Sequence, residues 1–352
     1  MHADAPPLTV AVIHRLMRGY PQRCLRSLVP QAPEGTEFLL LTDDLDAVPP
    51  CGELAPGLRV LPILSGDRAS AMNKAVDAAR GEYLLIVSAD FVASPGAVGA
   101  LLEFLRRRPA PALASRLHCD TASPSRCRGV ACYAPTDGHS ACGSALASAQ
   151  ILYENGMCRR TSYPFPSLLH EMNPVPPGVV RLLRPGKRPP QSGPPRRAAA
   201  LRAFFLAGRT QTFRAVGGFR SGYRFGFEDV EWSWRAALQG VERWAVPEAR
   251  AHCLAPQLHG GLSGAARLEI ERSRQRVVAE SRGAAYAFLF RSISRAKAFA
   301  LWIASLLLNR ALCGRSALLA NAEVVYRALW TMKSPEPLPD DAESRVRWDA
   351  AV

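Results

Sequence analysis

The chain has 352 residues, of which 48% are hydrophobic and 21% are charged. This composition excludes a disordered, collagen-like or disulfide-stapled small protein and favours one large domain, with or without an appendage. Lys and Arg total 44 against 30 Asp and Glu, which gives a formal charge of +14 and favours an anionic partner such as phosphate, nucleic acid or an acidic membrane surface.

The basic residues are nearly all Arg in an Ala-rich chain, a pattern typical of GC-rich coding rather than of nucleic-acid recognition. We therefore expect no nucleic-acid partner. The first eight residues show no basic stretch followed by an apolar one, and no segment reaches the ~20 apolar residues of a membrane span. Nine cysteines, an odd number, fit reduced thiols, so a cytoplasmic location is predicted.

Strand and helix signals alternate over the first 115 residues. In chain order they predict a strand at Leu8–Ile13, a helix at Tyr20–Val29, strands at Glu37–Leu41 and Leu58–Leu64, a helix at Ser70–Arg80, a strand at Tyr83–Val87, and a helix that Ser94 caps and that runs to Arg107. Such alternation predicts βαβ units and therefore an α/β domain with a parallel central sheet.

Residues 116–200 do not fit this pattern and are predicted to form an irregular insertion. Within it, Pro174–Arg197 contains eight prolines and six basic residues with no acid, which indicates an extended basic loop. Polyanion binding by this loop is one alternative function, although no known nucleic-acid motif accompanies it.

Regular structure is expected to resume after residue 200. The signals predict a strand at Leu201–Leu206, a turn at Gly217–Gly218, a helix at about Glu228–Gln239 and a strand at Arg243–Val246. We predict a first domain at 1–263, a basic amphipathic helical extension at 264–335 and a tail at 336–352. The apolar stripe of the extension fits a membrane surface and a packing face on the first domain equally well.

Two acidic groups are candidates for chemistry. Asp90 follows the predicted strand Tyr83–Val87, and ligands of open α/β sheets bind beyond the carboxyl ends of the strands. A carboxylate at that position can hold a hard divalent cation. Glu228 and Asp229 are adjacent acids at the start of a predicted helix, where their simplest role is to complement its dipole.

An ordered set of motifs resembles the family-2 glycosyltransferases of GT-A fold. In chain order the motifs are Arg23–Leu28, Asp43 or Asp44 after the second strand, Ala71-Met72-Asn73, Ala79–Leu85, Ser88-Ala89-Asp90, Ala215–Phe219, Glu228-Asp229-Val230-Glu231 with Arg235, and Pro247-Glu248-Ala249 with His252. The resemblance covers residues 8–115 and 200–263 and includes rhamnosyltransferase-like and galactosyltransferase-like members. It implies a single Rossmann-like domain with a mostly parallel sheet.

The resemblance also implies an activity and a site. The reaction is transfer of a sugar from a nucleoside-diphosphate donor to a hydroxyl of a glycan or lipid-linked acceptor, with inversion, in bacterial surface polysaccharide or glycolipid synthesis. Asp229 is expected as general base, with Glu228 orienting the acceptor or the base. Asp90 and His252 are expected to bind Mg²⁺ or Mn²⁺. The donor-binding residues are expected to be Asp43, Asp44, Arg68, Asn73, Ser88 and Asp90.

Some residues depart from the family's pattern. Ser88 replaces the first Asp of Asp-x-Asp, His14-Arg15-Leu16-Met17 replaces the family's exit from the first strand, and His259 competes with His252 for the C-terminal His. These departures favour an alternative function, that of a catalytically inactive GT-A-like protein that binds nucleotides or glycans. If the helical extension binds lipid, the expected location is the inner face of the cytoplasmic membrane.

Overall fold

The structure is a computed structural model that describes residues 6–14, 20–45, 49–55, 57–63, 68–108, 144–153, 158–159, 161–172, 193–223, 226–254, 264–312 and 316–332. Its first half contains β1 (Leu8–His14), α1 (Pro21–Leu28), a short 3₁₀ turn (Val29–Gln31), β2 (Glu37–Thr42), α2 (Pro49–Gly52), β3 (Arg59–Pro62), α3 (Arg68–Ala78), β4 (Tyr83–Ser88), β5 (Phe91–Ala93) and α4 (Ala97–Arg106).

The second half combines strands with the C-terminal helices. In chain order it contains β6 (Ala145–Leu152), β7 (Cys158–Arg159), β8 (Ser162–Tyr163), α5 (Leu168–Glu171), β9 (Arg196–Arg197), β10 (Ala200–Leu201), β11 (Phe205–Arg209), α6 (Thr210–Val216), α7 (Glu228–Leu238), β12 (Glu242–Cys253), α8 (Gly264–Arg282), α9 (Ala284–Ala311) and α10 (Ala317–Thr331).

The central sheet has the order β3-β2-β1-β4-β11-β6-β12-β5. Its pairs β2–β3, β1–β2, β1–β4 and β6–β12 are parallel, whereas β11 is antiparallel to both of its neighbours and β5 is antiparallel to β12. The predicted α/β class with a mostly parallel sheet and C-terminal helices is confirmed.

Helix α4 does not begin where the sequence predicted. Gly96, not Ser94, occupies the N-cap position, and its φ of 80° is a left-handed conformation that favours glycine. The carbonyl oxygen of Ser94 accepts the N–H of Ala97 at 3.1 Å in the preceding turn. The Ser-Pro pair therefore belongs to the turn and not to the helix.

The prediction of an irregular insertion at 116–200 is wrong for one stretch. Strand β6 lies inside the sheet between β11 and β12, and nearly all of its residues are buried. Its sequence ALASAQIL is rich in Ala, which has a low strand propensity, and it does not alternate because both faces are covered. Leu146 shows the close packing, since a Cβ on Gly208 of β11 would come within 2.6 Å of Leu146 Cδ2.

The sheet separates two apolar layers. Val10 and Val12 of β1 pack toward α1 and α4, whereas Ala11 and Ile13 pack toward α3, α6 and α7, as the two-residue period of a strand requires. The turn before β4 packs directly on the start of β1, because a Cβ on Gly81 would lie 2.5 Å from the backbone nitrogen of Thr9.

Trp232 anchors α7 to the second layer. Its ring stacks on Phe213 at 5.3 Å and on Phe219 at 4.7 Å between centroids, and its Nε1 donates to the carbonyl oxygen of Gly217 at 2.7 Å. The side chain is 1% exposed. The preference for a packing role over a sugar-stacking role is confirmed for this residue.

Helix α8 connects the C-terminal helices to the rest of the chain through polar contacts. Arg220 pairs with Glu280 at 2.8 Å, and the hydroxyl of Tyr223 lies 3.2 Å from the same carboxylate. On another side, buried Glu171 of α5 pairs with Arg274 and accepts from Ser294 of α9 at 2.7 Å. Among the described helices, none is both long and apolar enough to cross a bilayer.

Candidate active site

The carboxyl end of β2 carries two of the predicted donor-binding residues. Asp43 is exposed and Asp44 is half-buried, immediately after Thr42. The hydroxyl of Thr42 donates to the carbonyl oxygen of Asp44 at 2.9 Å and accepts its N–H at 3.0 Å, which fixes the turn. Nδ1 of buried His14, the last residue of β1, lies 2.9 Å from this hydroxyl. The sheet therefore presents two carboxylates and an imidazole at one edge.

Asp90 follows β4 at the same edge and is 1% exposed. Ser88, which stands where the resembled motif has its first Asp, donates its hydroxyl proton to Asp90 Oδ1 at 2.5 Å. The neighbouring Phe91 stacks on Phe204 with 5.4 Å between ring centroids. Register across β1 and β4 pairs Ile13 with Ser88, which places this turn beside the end of β1.

His252 lies in β12 opposite Val92 of β5, two residues beyond Asp90, and its side chain is exposed. His259 lies outside the described residues. Within the described ranges, no group of three or more His, Cys, Asp or Glu side chains is arranged to hold a metal ion. The carboxylate of Asp90 is a ligand type that Mg²⁺ and Mn²⁺ prefer, and cation binding at this residue stays a prediction.

Glu228 and Asp229 are the first two residues of α7, and each is 1% exposed. Acidic side chains are common in the first turn of a helix, where the helix dipole is positive. Phe227 precedes them with a φ of 82°, a left-handed conformation that is rare outside glycine and costs about 1 kcal/mol or more. The turn before the helix is thus strained at the position that aims the two acids.

Two arginines from distant segments neutralise this acidic pair. Arg68, the first residue of α3, donates to Glu228 Oε1 at 3.0 Å and lies 4.0 Å from Asp229 Oδ2. Arg202 lies 3.5 Å from Asp229 Oδ1. The Arg202 guanidinium also stacks over Tyr163 at 4.6 Å. Two cations therefore face two anions in a site with little solvent.

Burial and, next, the adjacent Asp229 raise the pKa of Glu228 to about 7, although Arg68 and Arg202 oppose the shift. For Arg202, burial favours the neutral form, but Asp229, Tyr163 and Glu228 together raise its pKa above the ordinary value. Glu228 is therefore poised to exchange a proton near neutral pH, while Arg202 remains a fixed cation.

The cluster leaves polar atoms with unused hydrogen-bonding capacity. In the part of the chain that the structure describes, Glu228 Oε2, Asp229 Oδ1 and Arg202 Nε are buried and make no hydrogen bond. Buried polar atoms are nearly always satisfied in folded proteins, so such a group calls for an explanation. Hydroxyl groups of a bound sugar would supply suitable partners.

Asn73 is held by the backbone. Its Nδ2 donates to the carbonyl oxygen of Phe219 at 2.8 Å, and its Oδ1 accepts the Phe219 N–H at 2.6 Å. A Cβ on Gly218 would lie 3.1 Å from this amide. The side chain thus fastens α3 to the turn before α7, and its predicted role in donor binding stays a prediction.

The segment 202–204 joins the two acidic groups. Asp229 Oδ2 accepts the N–H of Ala203 at 3.3 Å, and the carbonyl oxygen of Phe204 accepts the N–H of Ser88 at 2.9 Å. Arg68 stacks over the Phe204 ring at 4.6 Å. Acids that are 139 positions apart, at 90 and 229, are therefore connected through three consecutive residues.

Sequence reasoning missed Arg202, Phe204 and Tyr163. Arg202 interrupts an apolar run between Leu201 and Ala203, and an unpaired charge within such a run is a signal that was available. Tyr163 falls in the stretch that was predicted to be irregular, so no pattern pointed to it.

The sheet order and the acids at its carboxyl edge are those of an α/β protein with its candidate site at the strand ends. Residues 18–128, which are 111 of the 352 residues, match the model of the family described as glycosyl transferase family 2. This match supports the resemblance to family-2 glycosyltransferases over that part of the chain. The match does not separate rhamnosyl from galactosyl subtypes.

Solved structures with a similar backbone were also found. One is GalNAc-T7 with UDP, GalNAc and Mn²⁺, with 15% identity and a TM-score of 0.47, where 78% of this chain and 48% of that chain are covered. Another is S. aureus TarS, with 13% identity and a TM-score of 0.45, where the coverage is 91% and 55%. This chain therefore spans about half the length of either structure. Among curated proteins, none matches this chain.

Proposed function

We propose that this protein transfers a sugar from a nucleoside-diphosphate donor to an acceptor hydroxyl, with inversion at the anomeric carbon. The family-2 match supports glycosyl transfer in general. The specific proposal rests on segment 202–204, which contacts both the end of β4, on the expected donor side, and the Glu228–Asp229 pair. A donor at that edge and an acceptor at the acidic pair would be neighbours.

The donor side consists of Asp43, Asp44, Ser88 and Asp90. Their position at the ends of β2 and β4 is the usual place for a ligand in an open α/β sheet. We assign the exposed Asp43 to ribose or base hydroxyls. When bound at Asp90, with His252 as a further candidate ligand, a divalent cation would neutralise charge on the leaving diphosphate.

On the acceptor side, Asp229 is assigned as the general base. Its carboxylate takes the proton of the acceptor hydroxyl as that O–H bond breaks, and the freed oxygen pair forms the new bond to the anomeric carbon. The bond from this carbon to the diphosphate breaks on the opposite side, and its electrons leave with the diphosphate. General-base assistance of this kind contributes about 10²–10⁴-fold in rate.

Glu228 and the arginines position these groups. Arg202 places its positive charge 3.5 Å from Asp229, and Arg68 holds Glu228 through its 3.0 Å bond. Because both carboxylates are 1% exposed, an acceptor reaches them only after Arg68 or segment 202–204 moves. Glu228, with its pKa of about 7, is the competing candidate for the base.

The proposal extends to the acceptor and the location. We assign a glycan or lipid-linked acceptor in bacterial surface polysaccharide or glycolipid synthesis, on the inner face of the cytoplasmic membrane. The basic C-terminal helices, beside the acceptor-side residues Arg220 and Tyr223, support this assignment. The basic loop Pro174–Arg197 lies mostly outside the described residues, and only its end forms β9.

The test is a screen of nucleotide sugars by thermal shift, followed by release of nucleoside diphosphate with Mn²⁺, with Mg²⁺ and with a chelator. We expect one donor to be consumed faster with a metal ion, and Asp229→Asn to lower transfer about 10²-fold or more while donor binding persists. If Asp229→Asn kept full transfer activity and Glu228→Gln lost it, the general base would be Glu228 and not Asp229.

A catalytically inactive binding protein is the alternative. The observation that favours it is that both acids already have a cationic partner, since Arg68 pairs with Glu228 and Arg202 with Asp229. Metal-independent nucleotide binding without turnover of any donor would establish this alternative and refute the transfer proposal.

A further inference from the structure

Helix α9 presents an apolar surface to solvent. Five large apolar side chains of α9 are exposed: Leu308, at 55%, and a set of four, at 67% for Phe288, 49% for Leu289, 41% for Phe299 and 61% for Leu307. At 3.6 residues per turn, all four fall within an arc of about 100° on the helix. We call these four residues the outer stripe. A soluble helix would normally turn polar residues outward along such an arc.

The opposite side of α9 is already used for packing. Its buried residues are Ala287, Phe290, Ala298 and Ser305. Phe290 is fully buried with Val278 of α8. The helix therefore has an inner face against the protein and an outer stripe that is largely exposed, although the ring of Phe299 contacts Trp330 of α10. The membrane-surface alternative for these residues stays a prediction.

The charge around the outer stripe is positive. Helix α9 contains Arg291, Arg295, Lys297 and Arg310 and no acidic residue. Arg295 and Arg310 are exposed, and Arg310 falls within the arc of the stripe. A second copy of this chain would bring like charges together, whereas anionic lipid headgroups complement them. Apolar residues flanked by Arg on one helical surface are typical of interfacial membrane helices.

An aromatic cluster adjoins the stripe. The Trp302 ring stacks on Trp330 of α10 with 5.7 Å between centroids, and Phe299 lies 5.1 Å from Trp330. Trp330 is 39% exposed. Tryptophan is enriched at the headgroup level of bilayers because its ring is apolar and its N–H is polar. Arg295 also donates to the carbonyl oxygen of Met332, which holds the end of α10 beside this surface.

The helices that carry the stripe are attached to the acceptor side of the site. Arg282 of α8 stacks over Trp234 of α7 at 4.7 Å, and Arg276 donates to the carbonyl oxygen of Gly222 at 3.0 Å. Only Gly283 separates α8 from α9. A surface that binds the outer stripe is therefore connected through α8 to the helix that begins with Glu228 and Asp229.

We propose that the outer stripe of α9 lies on an anionic bilayer surface and holds the acceptor side of the site near lipid headgroups. This proposal deepens the proposed function, on which its account of the acceptor rests, because it makes the acceptor a lipid-linked molecule. The contact itself needs no glycosyl transfer, so the two ideas can fail separately.

The test compares the full-length protein with the variant Phe288→Glu/Leu307→Glu in co-sedimentation with vesicles. Vesicles of phosphatidylglycerol and phosphatidylcholine are compared with vesicles of phosphatidylcholine alone. Leu238→Glu, which changes an exposed Leu of α7 outside the stripe, is the matched control. We expect the double variant to lower partitioning onto anionic vesicles about tenfold or more, since both side chains leave the apolar phase. The control should partition as the wild type does.

Charge and self-association are measured in parallel. Arg310→Gln should weaken binding to anionic vesicles, and high salt should weaken that of the wild type. Equal partitioning of the double variant and the wild type, or no binding by either, overturns the proposal. A stripe-dependent dimer in sedimentation velocity without vesicle binding also overturns it and assigns the stripe to a second copy. Donor hydrolysis by the double variant reports on the proposed function independently, because the stripe lies outside the acidic cluster.

Discussion

Replacement of Glu228 by Gln tests the electrostatics of the site without reference to any substrate. The carboxylate is 1% exposed, and burial together with Asp229 raises its pKa from 4.5 to about 7. An acid with a raised pKa binds more protons in the folded than in the unfolded state between these two values. The free energy of unfolding therefore falls as the pH rises from about 4.5 to about 7, and it stays lowered above that range.

The magnitude follows from the size of the shift. A difference of 2.5 pKa units, from 4.5 to about 7, corresponds to about 3 kcal/mol at about 1.4 kcal/mol per unit. Part of this loss has already occurred at about pH 5, so about 2 kcal/mol remains between about pH 5 and about pH 8. The Gln side chain keeps an oxygen that can accept from Arg68, but it does not titrate, and this part of the pH dependence should disappear.

The assay is urea unfolding of the wild type and Glu228→Gln at several pH values over that range. The control is Glu103→Gln on α4, the same change at an exposed carboxylate that pairs with Arg107 of its own helix. We expect the difference in free energy of unfolding between Glu228→Gln and the wild type to move by about 2 kcal/mol in favour of the variant as the pH rises, and the control to follow the wild type. Parallel profiles for all three proteins would refute the reasoning.

Three further changes have distinct signatures. Asp90→Asn should weaken nucleotide binding about tenfold or more with Mn²⁺ and leave binding with a chelator unchanged, by calorimetry; equal losses in both would argue against a cation at Asp90. Arg202→Gln leaves Asp229 short of a cation and should lower the free energy of unfolding by about 3 kcal/mol, with partial recovery in Arg202→Lys; an unchanged value would show that the pair is not coupled. Trp232→Phe should cost about 2 kcal/mol in denaturant unfolding, and more than Trp234→Phe, because Trp232 is fully buried and donates a hydrogen bond.

The N-terminal half of the fold was predictable because its signals are local. Apolar runs such as Tyr83–Val87 and Ala-rich segments such as Ser70–Arg80 need no knowledge of their partners, and each lies within two residues of its element in the structure. Strand β6 was not predictable in this way. Its Ala-rich sequence becomes a strand only because β11 and β12 lie on either side of it, and neighbours that begin more than 50 positions away leave no local pattern.

The residues of the candidate site also divide into those that local sequence signals could indicate and those that depend on distant contacts. Asp90 could be selected because ligands of open α/β sheets bind beyond the strand ends, whereas the role of Asp229 was expected only from the resemblance. Arg68 was expected in the donor pocket, which stays a prediction, and the structure pairs it with Glu228. Arg202 was not found because its relevance arises from a contact with Asp229, 27 positions later, that depends on the path of the chain between β10 and β11.

The composition of the acidic cluster is itself an argument for function. Buried ion pairs cost desolvation energy that their attraction rarely exceeds, and apolar side chains of similar volume often give equal or greater stability. Here four charged side chains, Arg68, Arg202, Glu228 and Asp229, lie at low exposure, and three of their polar atoms make no hydrogen bond. Stability alone does not account for such an arrangement, since the strained backbone at Phe227 adds a further cost. In the proposed function, hydroxyl groups of the substrate complete these hydrogen bonds. That role accounts for the buried charges and for their position where segment 202–204 contacts α7.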